Sequence, residues 1–168
     1  MGKIDRKSIK VLWVSLVKFP PLCEHLGETI PAHCGWMYSS ATALLRMMPE
    51  GRLGVMVYSY GRSYERYESD GVTYYLIPTG RIDRTSKKQI ETCRRAIRDF
   101  APDLMHIHGT EHSLAKAACV AKENGTRMVA NIQGLAGPYM RYADGGLSLW
   151  NKWTNITPLD FYRGTFLL

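Results

Sequence analysis

The sequence predicts a doubly wound α/β fold with a mainly parallel sheet and helices on both of its faces. Short apolar runs, many of their residues β-branched, alternate with segments whose apolar residues recur at helical spacing. These runs are apolar on both sides, as in parallel strands that are covered on both faces. Proline and glycine residues separate the segments and mark turns between them.

The first predicted strand is the mostly apolar run Ile9–Val17, and Pro20-Pro21 then breaks the pattern. Residues 18–35 form a long connection rich in proline, glycine, histidine and cysteine, and long connections inside compact domains are usually functional. From Trp36 the apolar residues recur at helical spacing, which predicts a helix with one face on the sheet.

Two more strands and a second helix follow. Two short runs are rich in β-branched and aromatic residues, Leu53–Tyr60 and Val72–Ile77. Turn residues flank both runs, as is typical of strands. Ser86, with Gln89 three residues later, makes a capping box. This box predicts a helix that runs through Phe100.

The next predicted elements are a strand at Leu104–His108, a helix from about Glu111 to Asn124 and a strand at Arg127–Gln133. The resulting order of strands and helices is typical of a Rossmann-like domain, which we assign to residues 1–140. Residues 141–168 carry large aromatic side chains without a clear period and are predicted to be irregular. We expect further chain to cover these aromatics.

Length and composition narrow the class of protein. A chain of 168 residues with 45% hydrophobic and 22% charged residues is an ordinary globular domain rather than a disordered chain. The longest apolar run is far short of the ~18–20 residues that a membrane-spanning helix needs. We therefore expect a cytoplasmic protein, with its four cysteines as free thiols because they form no Cys-x-x-Cys pair.

The net charge of 22 − 15 = +7 comes largely from two local basic groups. The first precedes or begins the first strand: Lys3, Arg6, Lys7 and Lys10. The second surrounds and occupies the second helix: Arg81, Arg84, Lys87, Lys88, Arg94, Arg95 and Arg98. No aromatic residue is interleaved among the second group, so a single-stranded nucleic-acid platform is disfavoured. A solvated helix face is the favoured interpretation of this group. If the charge serves a partner, an anionic membrane surface or a phosphorylated ligand is preferred to nucleic acid.

The sequence lacks two phosphate-binding motifs. No Gly-x-Gly-x-x-Gly turn follows the first strand and no Gly-Lys-Ser/Thr loop is present, which disfavours a standard dinucleotide site and a P-loop NTPase. In doubly wound folds, ligands bind beyond the carboxyl ends of the strands. Gly35, just before Trp36, begins a helix whose free N–H groups can receive a phosphate or a sugar hydroxyl. His108 ends a strand, where it can bond a hydroxyl or act as an acid or base.

Cysteine and histidine residues cluster in the first long connection, but not at metal-binding spacing. Cys23, His25, His33 and Cys34 lack the close cysteine pair of closed zinc sites. The sequence therefore predicts no metal site there.

Five segments of the chain occur in a characteristic order: Val11-Leu-Trp-Val14, the loop ending at Gly35, Asp70-Gly-Val72, Ala101-Pro-Asp-Leu-Met-His-Ile-His-Gly109 and Val129-Ala-Asn-Ile-Gln-Gly134. In this order they resemble the N-terminal domain of the family four retaining, nucleotide-sugar-dependent glycosyltransferases. The resemblance covers about residues 9–140. It implies one half of a GT-B fold, with the acceptor mainly on this domain and the donor mainly on a second one.

The resemblance also implies roles for single residues. Gly35 corresponds to the family's loop glycine near the donor phosphates, and His108 to its strand-end histidine near the reacting sugar. Gln133 stands where the family often has a histidine, which keeps hydrogen bonding but removes proton transfer. His108 is thus the candidate catalytic residue. The candidate substrate-binding residues are Gly35, Trp36, Gly109, Glu111, Gln133 and Gly134.

The implied activity is transfer of a hexosyl group, without metal or other cofactor, from a sugar nucleotide to a glycan or lipid-linked acceptor in polysaccharide synthesis. The family's donor domain, with its pair of glutamates, has no counterpart within this sequence, so this chain is expected to be inactive alone. A GT-B-like nucleotide-sugar epimerase and a non-catalytic α/β ligand-binding module are the alternatives.

Overall fold

The computed structural model describes residues 8–80, 84–110, 112–122, 125–132, 148–154 and 156–158. Three candidate site residues lie outside these ranges: Glu111, Gln133 and Gly134. So do four residues of the basic groups: Lys3, Arg6, Lys7 and Arg81.

One six-stranded sheet contains all of the described strands. These are β1 Lys10–Val14, β2 Arg52–Tyr60, β3 Glu65–Ser69, β4 Val72–Thr79, β5 Leu104–His108 and β6 Arg127–Asn131. The described helices are α1 Pro20–Leu26, α2 Gly35–Met47, α3 Lys87–Phe100, α4 Ser113–Ala121 and α5 Leu149–Thr154. A 3₁₀ turn at Ala32–Cys34 precedes α2.

The strands lie in the order β3-β4-β2-β1-β5-β6. All neighbouring pairs are parallel except β3 and β4, which form an antiparallel hairpin. From β1 the chain moves outward through β2 to β4, and it then crosses back to β5 on the other side of β1. The strand order therefore reverses between β1 and β5, and such a reversal creates a crevice at the carboxyl ends of the two strands. This sheet confirms the prediction of an α/β, mainly parallel, Rossmann-like fold.

The two faces of the sheet carry separate hydrophobic clusters. On one face, Trp13 and Tyr74 of the sheet pack with Phe19, Leu22 of α1 and Met37 of α2. The opposite cluster joins the sheet to α3 and α4 and includes Leu12, Met56, Tyr75, Ile97, Phe100, Ile107 and Leu114. Because both faces are covered, the inner strand β2 has seven buried residues in succession and reads as an uninterrupted apolar run.

The prediction of a long loop over residues 18–35 was wrong, because this segment contains α1. Pro20-Pro21, interpreted as a break, occupies the first positions of this helix, where a proline ring fits and no N–H is needed. Gly27 ends α1 in the left-handed region at φ 66°. Its N–H donates to the Glu24 carbonyl, and the Glu28 N–H donates to that of Cys23, which together form a Schellman motif.

Strand β3 was also absent from the prediction. Asp70-Gly71, interpreted only as the start of a strand, is the two-residue turn of the β3–β4 hairpin, with φ values of 51° and 74°. An Asp-Gly pair is a strong hairpin signal because both turn residues need positive φ. The hairpin adds an antiparallel edge to the otherwise parallel sheet.

The remaining elements differ from prediction mainly at their ends. Helix α2 begins at Gly35 rather than at Trp36, and α4 and β6 are shorter than predicted. Within residues 141–168, predicted to be irregular, α5 is helical. The capping box is half formed: Ser86 accepts the Gln89 N–H at 3.1 Å, but the Gln89 side chain turns toward Ser113 instead.

Two compact units divide the chain, Met1–Ile132 and Gln133–Leu168. The first holds the whole described sheet and helices α1 to α4, and the second holds α5. All four cysteines are unpaired, with Cys119 exposed and the other three buried. Among the residues that the structure describes, no helix is both long and apolar enough to cross a bilayer.

Candidate functional site

His108 is the last residue of β5 and lies beside the reversal of strand order. The β1–β5 register pairs Val14 with Ile107, so that Ser15 and His108 come next along the two strands. The Gly109 N–H donates to the Asn131 carbonyl at 3.0 Å, which ties the end of β5 to β6. The structure thus places His108 and Gly109 at the crevice where ligands bind in doubly wound folds.

The His108 side chain is packed between two aromatic rings. Its ring centre lies 4.5 Å from that of Trp13 and 3.9 Å from that of His106. His108 is only 8% exposed, and both of its ring nitrogens are shielded from solvent. Neither nitrogen has a hydrogen-bond partner among the described residues. A buried polar group without a partner is costly and uncommon, so this arrangement needs an explanation beyond packing.

Burial, with a smaller contribution from the neighbouring His106, lowers the pKa of His108 to about 4. Burial also lowers the pKa of His106. His108 is therefore neutral at pH 7, with one ring nitrogen that donates and one that accepts. Of the two roles considered for it, hydrogen bonding to a hydroxyl suits this state better than acid catalysis near neutral pH.

The start of α2 carries two of the predicted binding residues, Gly35 and Trp36. No side chain caps this helix start, and the 3₁₀ turn Ala32–Cys34, in which the Cys34 N–H donates to the Pro31 carbonyl at 3.0 Å, runs directly into it. The positive end of the helix dipole is what this start offers to an anion. Gly35 has helical dihedral angles, φ −57° and ψ −43°, and a Cβ added to it meets nothing within 4 Å. The backbone therefore does not require glycine there. Trp36 is 51% exposed.

Ser15 links the end of β1 to α2 and was not singled out from the sequence. It is 1% exposed, its hydroxyl oxygen lies 3.4 Å from the Met37 sulfur, and it accepts the Val17 N–H at 2.9 Å. Its place beside His108 brings the first turns of α2 toward the same edge of the sheet. The available signal was a polar residue near the end of an otherwise apolar strand.

His112 shapes the connection that follows His108. It is the N-cap of α4, and its Nδ1 accepts the Ala115 N–H at 3.1 Å. Its Nε2 lies 3.4 Å from the His108 carbonyl oxygen and donates to it. His112 is therefore committed to structure, whereas His108 is not. Glu111, Gln133 and Gly134 lie outside the described residues, so their places in this site stay predictions.

The cluster of cysteine and histidine residues near α1 forms no metal site in the described structure. Among the described residues, no group of three or more histidine, cysteine, aspartate or glutamate side chains is placed to hold a metal ion. His25 instead pairs with Glu65, with 2.5 Å between Nε2 and Oε1, and stacks on Tyr67 at 3.9 Å. These contacts fasten α1 to β3.

Comparisons with protein-family models, with curated proteins and with solved structures found no significant match.

Proposed function

We propose that this chain is the acceptor-side domain of a retaining glycosyltransferase of GT-B type, which transfers a hexosyl group from a sugar nucleotide. The observation that carries the proposal is His108, a neutral, buried histidine at the carboxyl end of β5, whose two ring nitrogens have no partner among the described residues. A ligand hydroxyl there gains hydrogen bonds that the protein alone does not satisfy. Sugars are the ligand class richest in such hydroxyls.

In this proposal the domain acts by orientation. His108 bonds a sugar hydroxyl, and the exposed Trp36 offers an indole face for stacking. The positive amino end of α2 at Gly35 stabilises donor phosphate charge as the nucleotide diphosphate departs. Gly109, with the predicted Glu111, Gln133 and Gly134, would complete the acceptor side. A second domain supplies the main donor contacts, and no metal or cofactor takes part.

Access to His108 sets a condition on this function. Since its ring nitrogens are shielded, a substrate reaches them only after a neighbouring group moves. The acceptor is proposed to be a glycan or lipid-linked sugar of cell-surface polysaccharide synthesis. The basic residues of α3 would then hold the cytoplasmic enzyme near an anionic membrane.

The test is sugar transfer by the protein as its gene encodes it, with a panel of nucleotide diphosphate sugars and lipid-linked acceptors. We expect His108→Ala to lower turnover by about a hundredfold, in line with the loss of one oriented hydrogen-bonding group. His25→Gln is the matched control, because His25 bonds Glu65 and stacks on Tyr67 near the opposite edge of the sheet. Equal turnover in wild type and His108→Ala removes His108 from the site.

The lowered pKa of His108, which suits hydrogen bonding better than acid catalysis, favours one second candidate, a non-catalytic ligand-binding module. This module binds a sugar or sugar nucleotide with no product formed. Calorimetry with the same panel separates the two functions: saturable binding without transfer, by the gene-encoded protein, supports the module. Interconversion of the sugar nucleotide without an acceptor would instead indicate the epimerase.

A further inference from the structure

A second concave site lies at the carboxyl ends of β2 and β4, where α3 begins. It is a cavity of about 280 Å³ whose wall includes Arg62, Arg84, Lys88, Ser86 and Gln89. None of the described residues that line it is acidic, and none belongs to β1 or β5. It is therefore separate from the His108 site, although Lys88 belongs to α3, whose basic residues are proposed above to face an anionic membrane.

Three cationic side chains reach this cavity from three different segments: Arg62 after β2, Arg84 before α3 and Lys88 in its first turn. Among the described residues, Arg84 and Lys88 have no ion pair or side-chain hydrogen bond. Arg62 donates through one nitrogen to the Leu26 carbonyl at 2.7 Å, which leaves its other N–H groups available.

Other basic residues of α3 are already engaged. Arg94 pairs with Glu91 one turn earlier on the helix. Arg95 lies over the Tyr64 ring, with its guanidinium carbon 4.3 Å from the ring centre. Arg94 and Arg95 thus serve the fold, whereas Arg84 and Lys88 at the cavity have no ion pair among the described residues.

The first turn of α3 is also electrostatically unfavourable. It contains Lys87 and Lys88 and no acidic residue, although the amino end of a helix carries partial positive charge and favours anions. Such a local conflict without internal compensation is expected at functional sites. A bound anion would relieve it.

We propose that this cavity binds a phosphate monoester dianion through Arg84, Lys88 and Arg62. The volume of 280 Å³ is several times the ~30 Å³ share of a water molecule, so a phosphate fits with part of the group that it esterifies. Guanidinium and ammonium groups bind phosphate oxygens by charge-assisted hydrogen bonds. The monoester can belong to a soluble metabolite or to a lipid headgroup, and both present the same dianion.

The experiment uses the 168-residue chain at constant ionic strength, because diffuse charge attraction weakens with salt. One arm titrates inorganic phosphate and glycerol 3-phosphate by calorimetry, and the other measures binding to vesicles with and without phosphatidic acid. We expect Lys88→Gln and Arg84→Gln each to weaken binding roughly tenfold. Lys87→Gln is the matched control, because it removes the same charge from the adjacent position but does not line the cavity.

Binding in the soluble arm with this variant pattern supports a free phosphate monoester, and binding only to phosphatidic acid vesicles supports a lipid headgroup. No binding in either arm overturns the proposal. Equal losses for Lys87→Gln and Lys88→Gln also overturn it, since they indicate a diffuse basic surface. Without phosphate, both lysine variants should unfold at the wild-type midpoint or slightly above it. If one cavity variant misfolds, the other carries the test.

Discussion

At the scale of the residue, the unpartnered nitrogens of His108 lower the free energy of unfolding, and an apolar side chain at this position would avoid that loss. Its imidazole keeps contact with Trp13 and His106 while both nitrogens stay unpartnered among the described residues. Groups kept for binding or catalysis are often retained at such a cost. The position of His108 at a strand end could be predicted from the sequence. Its burial and lowered pKa could not, because they depend on the register that sets Trp13 beside His106.

His108→Phe should preserve the ring contacts and remove the unsatisfied nitrogens. At pH 7 we expect an unfolding free energy equal to that of the wild type or higher by about 1 kcal/mol, since an unpaired buried polar group costs about 1–3 kcal/mol. Chemical denaturation followed by tryptophan fluorescence measures this quantity. Loss of activity in the same variant would separate the stability of the site from its function.

The pH dependence of this variant follows from the sign of the pKa change. The pKa of His108 falls from 6.5 to about 4 on folding, so between these values the unfolded chain binds a proton that the folded chain does not. Stability is therefore lost as the pH falls from 6.5 toward 4, by roughly 3 kcal/mol from this residue. Between pH 6.5 and 4, His108→Phe should lose roughly 3 kcal/mol less unfolding free energy than the wild type does. His33→Gln, at an exposed site, should show the pH dependence of the wild type. A variant with the wild-type slope would contradict the assigned pKa.

At the scale of the element, the errors of prediction arise from local turn chemistry. The pair Pro20-Pro21 is compatible both with the end of a strand and with the first turn of a helix. The helix α1 forms because Leu22 and Leu26 can then pack into the core, and the local sequence does not show this packing. Strand β3 has charged and polar residues at most positions and lies at the sheet edge, so hydrophobic pattern alone does not reveal it. The Asp-Gly turn was the signal that could have found it.

Glycine at two helix ends provides a matched pair of substitutions. Gly27→Ala places a Cβ at φ 66°, so we expect a loss of about 1 kcal/mol in unfolding free energy. Gly35→Ala adds the same methyl at helical dihedral angles with open space around it, so stability should stay the same or rise by a few tenths of a kcal/mol. Thermal unfolding of both variants checks this. If Gly35 serves close approach of a ligand, its variant loses ligand affinity and keeps its fold, whereas equal destabilisation would give both glycines a structural role.

At the scale of the whole molecule, the sequence predicted the sheet well because buried parallel strands are apolar on both sides. The inner strands β1, β2, β4 and β5 were all identified, with their ends shifted by a few residues. The sequence gives less information about which strands are neighbours in the sheet. The chain returns from β4 past β1 to β5, and this step depends on contacts between residues far apart in the sequence. The two sites have the same origin: each draws residues from several segments that only the assembled sheet edge brings together.

Coverage of the sheet is uneven, and this asymmetry predicts the order in which its strands open. The two edge strands, β3 and β6, have five residues each and one neighbour each. All five residues of β6 are exposed, with Val129 at 47%, whereas β3 is partly covered and holds His25 of α1. Amides in strands with few buried contacts exchange through local opening, and those of the core exchange only through global unfolding.

Native-state hydrogen exchange should therefore find the fastest exchange in β6, slower exchange in β3 and the slowest in β2 and β4. Because the Gly109 N–H bonds the Asn131 carbonyl, opening of β6 also loosens the turn behind His108 and gives a route by which its shielded nitrogens become accessible. A ligand that bonds His108 should then slow exchange in β6 more than in β3. Equal protection of the two edge strands in the free protein would show that β6 is covered, and the route to His108 would have to lie through Trp13 instead.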